Sequence, residues 1–143
     1  MPILSSIIEK DIAIDLGTDT TILYVAGIGI RLREPTVVTI DRTTGRVLKV
    51  GEDARKMLGR TPESITAVRP LKDGVIADFE VTAAMLKYFV RKAIKAGSFT
   101  RPHIVICIPS GVTEVERRAV EDAAKQAGAS RVELILEPVA AAI

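Results

Sequence analysis

Residues 103–109, His-Ile-Val-Ile-Cys-Ile-Pro, form a nearly continuous apolar run. Such a run is predicted to be a buried strand in a central position, because a strand with one wet face needs only an alternating pattern. A strand of that kind requires helices to cover it, and the sequence around it reads as helix. Segment 79–96 has Asp78 as a candidate N-cap, Glu80 in the first turn, Arg91, Lys92 and Lys95 near its end, and Gly97 as its stop. Val81, Met85, Tyr88 and Phe89 give it an apolar face. Beyond the strand, Thr113-Glu114-Val115-Glu116 fits a capping box. The helix it opens is predicted to end at Gly128, with a small-residue stripe of Val115, Ala119, Ala123 and Ala127 that allows close packing on a sheet. Residues 131–136 read as another strand, and Pro138 marks the first turn of a final helix.

The first fifty residues read differently. Asp-Ile-Ala-Ile-Asp-Leu-Gly from position 11 alternates Ile12, Ile14 and Leu16 with polar or small residues. Further β signals follow after short breaks, and Thr43-Thr44-Gly45 reads as a turn before another strand. Five short β segments here suggest an antiparallel meander. Positions 51–59 resemble a short helix closed by Gly59, and 61–78 is predicted as an irregular crossing segment with two prolines. A meander followed by helix, strand, helix, strand, helix gives an α/β fold: a mixed sheet with flanking helices. Residues 11–35 and 79–143 are expected to form the sheet-bearing part, with 36–78 as a small inserted subdomain. The first ten residues stand apart.

Composition narrows the function. Hydrophobic residues make up 48% of the chain and charged residues 27%, which excludes disorder of the entire chain. No apolar run approaches the roughly 18 residues of a membrane-spanning helix, and no secretory signal is visible. The single Cys107 excludes an internal disulfide and a cysteine-based zinc site, as suits a reducing cytosol. The net charge is only +2 and aromatics are 3%, which argues against a nucleic-acid partner. The lone His103 reads as a residue at the start of a strand.

Three places could carry chemistry. Asp15-Leu16-Gly17-Thr18-Asp19-Thr20-Thr21 sets a carboxylate, a glycine and hydroxyl residues in a tight turn between strands. Backbone N–H groups in such a turn can cradle phosphate oxygens, and Asp15 can hold a hydrated Mg²⁺. The same residues also suit an ordinary hairpin. Pro109-Ser110-Gly111 lies at the carboxyl end of the buried strand, where ligands bind in open α/β sheets. A nucleophilic role for Ser110 is disfavoured, because the Gly-x-Ser-x-Gly elbow is missing. Glu137 stands between a strand and a helix, either orienting a water or simply complementing the helix dipole.

Together these segments, in this order, resemble the actin-like ATPase superfamily, whose fold is ribonuclease H-like. Within it, residues 29–41, 50–92 and 112–129 are similar to the MreB family of bacterial actins. The seventy-kilodalton heat-shock chaperones share the phosphate loop and the Glu-Pro-x-Ala-Ala-Ala piece but are not similar over 29–96. The resemblance implies ATP and Mg²⁺ as ligands. Asp15 would face the metal, and Gly17, Thr18, Asp19 and Thr20 would surround the phosphates through their backbone. Glu137 matches the family's water-polarising glutamate. The family usually has a small neutral residue where Asp19 stands and Asn where Thr20 stands. A carboxylate at position 19 repels phosphates unless it points away.

Members of that family are more than twice as long, so the chain is expected to be the first half of a two-lobed clamp and to supply one wall of the nucleotide site. The implied function is an ATP-dependent filament that maintains cell shape by organising cell-wall synthesis. Self-association, into filaments or a dimer of this chain, and contact with cell-wall synthesis and shape proteins follow from it. The rivals are a stable half domain without activity and a chaperone-type ATPase. Some family members also touch the inner face of the membrane. They do so through an N-terminal amphipathic helix or an apolar loop; Ile3, Leu4, Ile7 and Ile8, which share one face if this segment is helical, resemble the first, and Phe99 stands in the place of the second. The implied location is cytoplasmic, at the inner face of the membrane.

Overall fold

The computed structural model describes residues 11–60, 62–94, 101–108 and 110–136. The larger sheet contains β1 (Asp11–Leu16), β2 (Thr20–Val25), β3 (Gly29–Pro35), β9 (His103–Ile108) and β10 (Arg131–Leu136), in the order β10-β9-β1-β2-β3. β1, β2 and β3 pair antiparallel, whereas β1 with β9 and β9 with β10 pair parallel. Parallel neighbours need a crossover. The crossover from β9 to β10 contains α3 (Glu114–Gln126), and α2 (Phe79–Ala93) precedes β9.

Period-two alternation sorts the side chains of this sheet. Ile12, Ile14 and Leu16 of β1, Leu23 and Val25 of β2 and Ile104, Ile106 and Ile108 of β9 are buried. They share one core with Met85, Leu86, Phe89 and Val90 of α2 and Val120, Ala123 and Ala124 of α3. On the opposite face Ala13, Ile22, Val105, Cys107 and Ile135 are only half-buried. β9 lies inside the sheet between β10 and β1, as expected, with its Ile104, Ile106 and Ile108 face fully packed by the core helices.

The meander also needs correction. Only β1 to β3 belong to it. The chain leaves the large sheet after Pro35 and starts a second sheet, with β4 (Val38–Asp41), β5 (Val47–Val50) and β6 (Ile65–Val68) in the order β5-β4-β6. Segment 61–78, expected to be irregular, supplies β6 and a hairpin of β7 (Leu71–Lys72) and β8 (Val75–Ile76). All four residues of β6 are half-buried, so it carries no alternating signal. The hairpin has an Asp73-Gly74 turn with Asp73 at φ 52°, the dipeptide that suits a tight hairpin. The short helix expected after Gly51 forms as α1 (Glu52–Lys56).

Both long helices start as expected. The Asp78 carboxylate accepts from the Val81 N–H at 3.1 Å. Thr113 and Glu116 form the reciprocal capping box, at 3.2 and 2.8 Å. α2 ends earlier than expected, with Ile94 extended at ψ 135°, and Gly97 lies outside the described residues. The stripe on α3 is shifted: Val115 is 78% exposed, and the buried positions are Val120, Ala123, Ala124 and Ala127. That set has the i, i+3, i+4, i+7 spacing of a helix face.

His103 opens β9 between the two neighbouring strands. Its Nδ1 lies 3.1 Å from Asp11 Oδ1, and its Nε2 lies 3.2 Å from Glu133 Oε1 without hydrogen-bond geometry. No helix among the described residues is long and apolar enough to cross a membrane.

Candidate functional site

β1, β9 and β10 run parallel in register, Asp15 beside Cys107 and Ile108 beside Leu136. Their carboxyl ends therefore open on one edge of the sheet, the place where open α/β sheets bind ligands. The loop after β1 is the best-defined element there. Its turn is closed by the Gly17 N–H donating to the Thr20 carbonyl at 3.1 Å. A Cβ on residue 17 would collide with that same carbonyl oxygen, so the turn can be this tight only around glycine.

Thr36, the first residue beyond β3, fixes the loop from beneath. It is fully buried. Its hydroxyl donates to the Gly17 carbonyl at 2.7 Å and meets the buried Thr21 hydroxyl at 2.8 Å. Its N–H donates to the Asp19 carbonyl at 2.9 Å. The Gly17 and Asp19 carbonyls are thereby both occupied by Thr36.

The β7–β8 region holds the loop from the side. The Gly74 N–H donates to Thr18 Oγ1 at 2.8 Å, and Arg69 Nη1 donates to Asp19 Oδ1 at 2.9 Å. Asp19 thus points at a guanidinium, which offsets its negative charge. Both side chains are well exposed, 84% for Asp19 and 56% for Arg69, so this pair adds little stability. Thr20 is exposed at the start of β2, and Asp15 is exposed at the end of β1 with no ion-pair partner among the described residues.

Thr36, Arg69 and Gly74 were not singled out by sequence reasoning, whereas Thr21 closes the candidate segment 15–21. Only the Asp73-Gly74 dipeptide carried a usable signal, as a hairpin turn. Ser110 and Gly111 follow β9 at the same edge, both exposed. Glu137 follows Leu136 of β10 and lies outside the described residues, as do Ile3, Leu4, Ile7, Ile8 and Phe99. No group of three or more potential metal ligands occurs among the described residues. Mg²⁺ takes one or two protein carboxylates and completes its shell with waters and phosphate oxygens, a demand that the exposed Asp15 at the end of β1 fits.

Buried on the other side of β3 is a second polar feature. Glu34, only 8% exposed, pairs with Lys92 of α2 and accepts the Glu52 N–H of α1 at 3.2 Å. The hydrogen bond that Lys92 donates to Glu34, joined by the carboxylate's charge, raises the Lys92 pKa above the ordinary 10.5. Glu34 ties the large sheet to the start of α1. Nothing in the sequence pattern set it apart from its charged neighbours on β3.

The fold is actin-like. The chain superimposes on MreB 5 of Spiroplasma citri bound to AMPPNP with a TM-score of 0.81 and 34% identity, covering 95% of this chain and 42% of that one. A MamK double helical filament shares the fold, with a TM-score of 0.76 at 22% identity, covering 91% and 41%. The sequence model for MreB/Mbl protein matches residues 9–143, and the chain belongs to that family. It is 54% identical over 134 residues to the cell shape-determining protein Mbl of Bacillus subtilis, covering 94% of this chain and 40% of that protein. The cell shape-determining protein MreB of Escherichia coli is 53% identical over 141 residues, with the same coverage. The chain thus spans about two-fifths of the length of the curated relatives it matches.

Proposed function

We propose that the chain is the first half of an ATP-dependent, actin-like filament protein that maintains cell shape by organising cell-wall synthesis. The observation that carries the reading is the loop after β1: a turn too tight for any side chain at Gly17, its Gly17 and Asp19 carbonyls occupied by Thr36. Such a loop offers backbone donors to phosphate oxygens at the carboxyl edge of the sheet. Support also comes from the Spiroplasma citri MreB 5 structures, bound to AMPPNP and to ADP.

In this reading the backbone of Gly17, Thr18, Asp19 and Thr20 surrounds the phosphates, and Arg69 neutralises Asp19. Asp15 would hold Mg²⁺, which would supply charge screening at the phosphates. Glu137 orients the attacking water. Hydrolysis is slow and belongs to the protein with both lobes, this chain supplying one wall. Residues 36–78 form an inserted unit beside the sheet-bearing part. Residues 1–10, through Ile3, Leu4, Ile7 and Ile8, and the loop with Phe99 touch the inner face of the membrane from the cytoplasmic side. Self-association and contact with cell-wall synthesis and shape proteins complete the role.

Titration of the ¹⁵N-labelled chain with Mg-ATP tests the site directly. Shifts centred on the amides of residues 17–20, and absent from a folded Gly17→Ala variant, are expected. Shifts elsewhere, or none at saturating nucleotide, would overturn the assignment of the loop. In a full-length protein carrying this segment, Glu137→Ala is expected to bind ATP and hydrolyse it more slowly. Lost binding would instead make Glu137 structural.

A further inference from the structure

Two adjoining hollows run along the outer side of α2, away from the carboxyl edge of the sheet. The first, of about 280 Å³, lies between β5 and α2 and is lined by residues 47–50 with Asp53, Ala84 and Tyr88. The second, of about 500 Å³, continues from Ala84 and Tyr88 past Lys87, Arg91 and Lys92. Four consecutive residues of β5 line the first hollow. The register against β4 shifts here and leaves Leu48 as an extra residue between Val47 and Lys49, so Leu48 and Lys49 are both exposed beside the groove. β5 is an edge strand of its sheet, and an edge offers N–H and C=O groups to an added strand.

The charge of the groove is one-sided. Lys49, Lys87 and Arg91 are exposed and have no ion-pair partner among the described residues. Lys92 is occupied by Glu34 and lies 5.8 Å from the centre of the Tyr88 ring. Asp53 is the one carboxylate that lines either hollow. Leu48, 42% exposed, and the half-buried Tyr88 add apolar surface.

We propose that this groove binds an extended acidic segment of a partner protein, laid alongside β5 with its carboxylates against Lys49, Lys87 and Arg91. Main-chain pairing to the strand edge supplies affinity, as in other strand-addition complexes. The three cations select for acidic residues and speed the encounter. Aliphatic side chains alternating with the acids rest on Leu48 and Tyr88. The strand at the groove favours a peptide over an anionic bilayer, which has no main chain to pair with β5 and would also meet Asp53. The site is independent of the nucleotide loop and does not rest on its assignment.

The test uses this chain and a fluorescein-labelled peptide of alternating glutamate and valine, followed by fluorescence anisotropy. Saturable binding that weakens with added salt is expected, with amide shifts at residues 47–50. Lys87→Glu combined with Arg91→Glu should weaken binding about tenfold or more, while circular dichroism and Tm stay unchanged because both side chains are exposed. A peptide with lysine in place of glutamate should not bind. Absence of saturable binding, equal binding by the charge-reversed variant, or equal binding of the lysine peptide would each overturn the proposal. So would loss, in that variant, of pelleting with phosphatidylglycerol vesicles when the peptide does not bind, which would assign the cations to a membrane.

Discussion

Gly17 and Gly51 each follow a β-strand, and each stands where a Cβ does not fit, yet the two crowd for different reasons. At Gly17 the obstacle is backbone, the carbonyl oxygen of Thr20. Around it the loop is polar and largely exposed, held by the Thr36, Gly74 and Arg69 hydrogen bonds. At Gly51 the obstacles are side chains, the Glu34 carboxylate and the Phe89 ring at 3.0 Å, and φ is 66°. There the surroundings are buried, and the Glu34–Lys92 pair and the core meet. A tight turn at the surface shapes a binding edge. A tight turn in the core locks one part of the chain onto another. The first constraint should register mainly in ligand binding, the second mainly in stability.

Gly51→Ala should have the largest effect on stability. Alanine at φ 66° and ψ −130°, a region open essentially to glycine alone, costs about 1–3 kcal/mol, and displacing a buried carboxylate from its partners adds about 2 kcal/mol more. Urea unfolding should show the midpoint fall with an unchanged slope. A loss below about 1 kcal/mol would mean that Glu34 swings aside freely and that the joint is soft. Gly17→Ala should cost less, about 1–2 kcal/mol, because an exposed loop can relax. If it proves more destabilising than Gly51→Ala, the contrast between the two turns is wrong.

Lys92→Met sharpens the description of the joint. It leaves Glu34 without its cation, at an expected cost of about 1 kcal/mol, reduced because the lysine is half exposed. The sign with pH follows from the raised Lys92 pKa. Its contribution is complete below the ordinary 10.5 and fades as pH rises through the higher folded value. The stability gap between the parent chain and Lys92→Met should stay constant from neutral pH to about pH 10 and narrow above it. A gap that closes well below that range would give the stabilisation another source. The smallest effect is expected of Arg69→Ala. Its exposed pair with Asp19 should cost under about 0.5 kcal/mol, while nucleotide binding weakens as Asp19 loses its neutralising partner. Unchanged binding would leave the pair as surface chemistry.

The parts of the fold that were legible in the sequence are those written in local chemistry. Asp78 and the Thr113–Glu116 box marked their helices because caps act within one turn. β1 was legible from alternation, β2 as a short β-rich run after a break, and the turn between them from Gly17. The segment with β6, β7 and β8 was misread because its strands are short, half-buried and bounded by prolines, so that partners elsewhere decide their form. The α3 stripe slipped because Val115 is apolar yet sits on the outer side of the first turn. At the candidate site, Asp15 to Thr20 stood out as a string of residues. Thr36 and Arg69 did not, since their roles arise only from the folding of distant segments against the loop. Glu34 shows the same limit: charge is visible in a sequence, but the Lys92 that makes its burial tolerable lies 58 positions away.

The order of the large sheet also carries a consequence for how the chain reaches its native state. Its middle pairs β1 with β9, joining Asp11 to His103 across 92 positions. Closing a loop of that length costs about 4 kcal/mol of chain entropy before any contact repays it. The β1–β3 meander and the capped helices need no such closure and can form early. The slow event in refolding should be the arrival of β9 beside β1, and Ile104→Val and Ile106→Val should report on it more strongly than Val25→Ala.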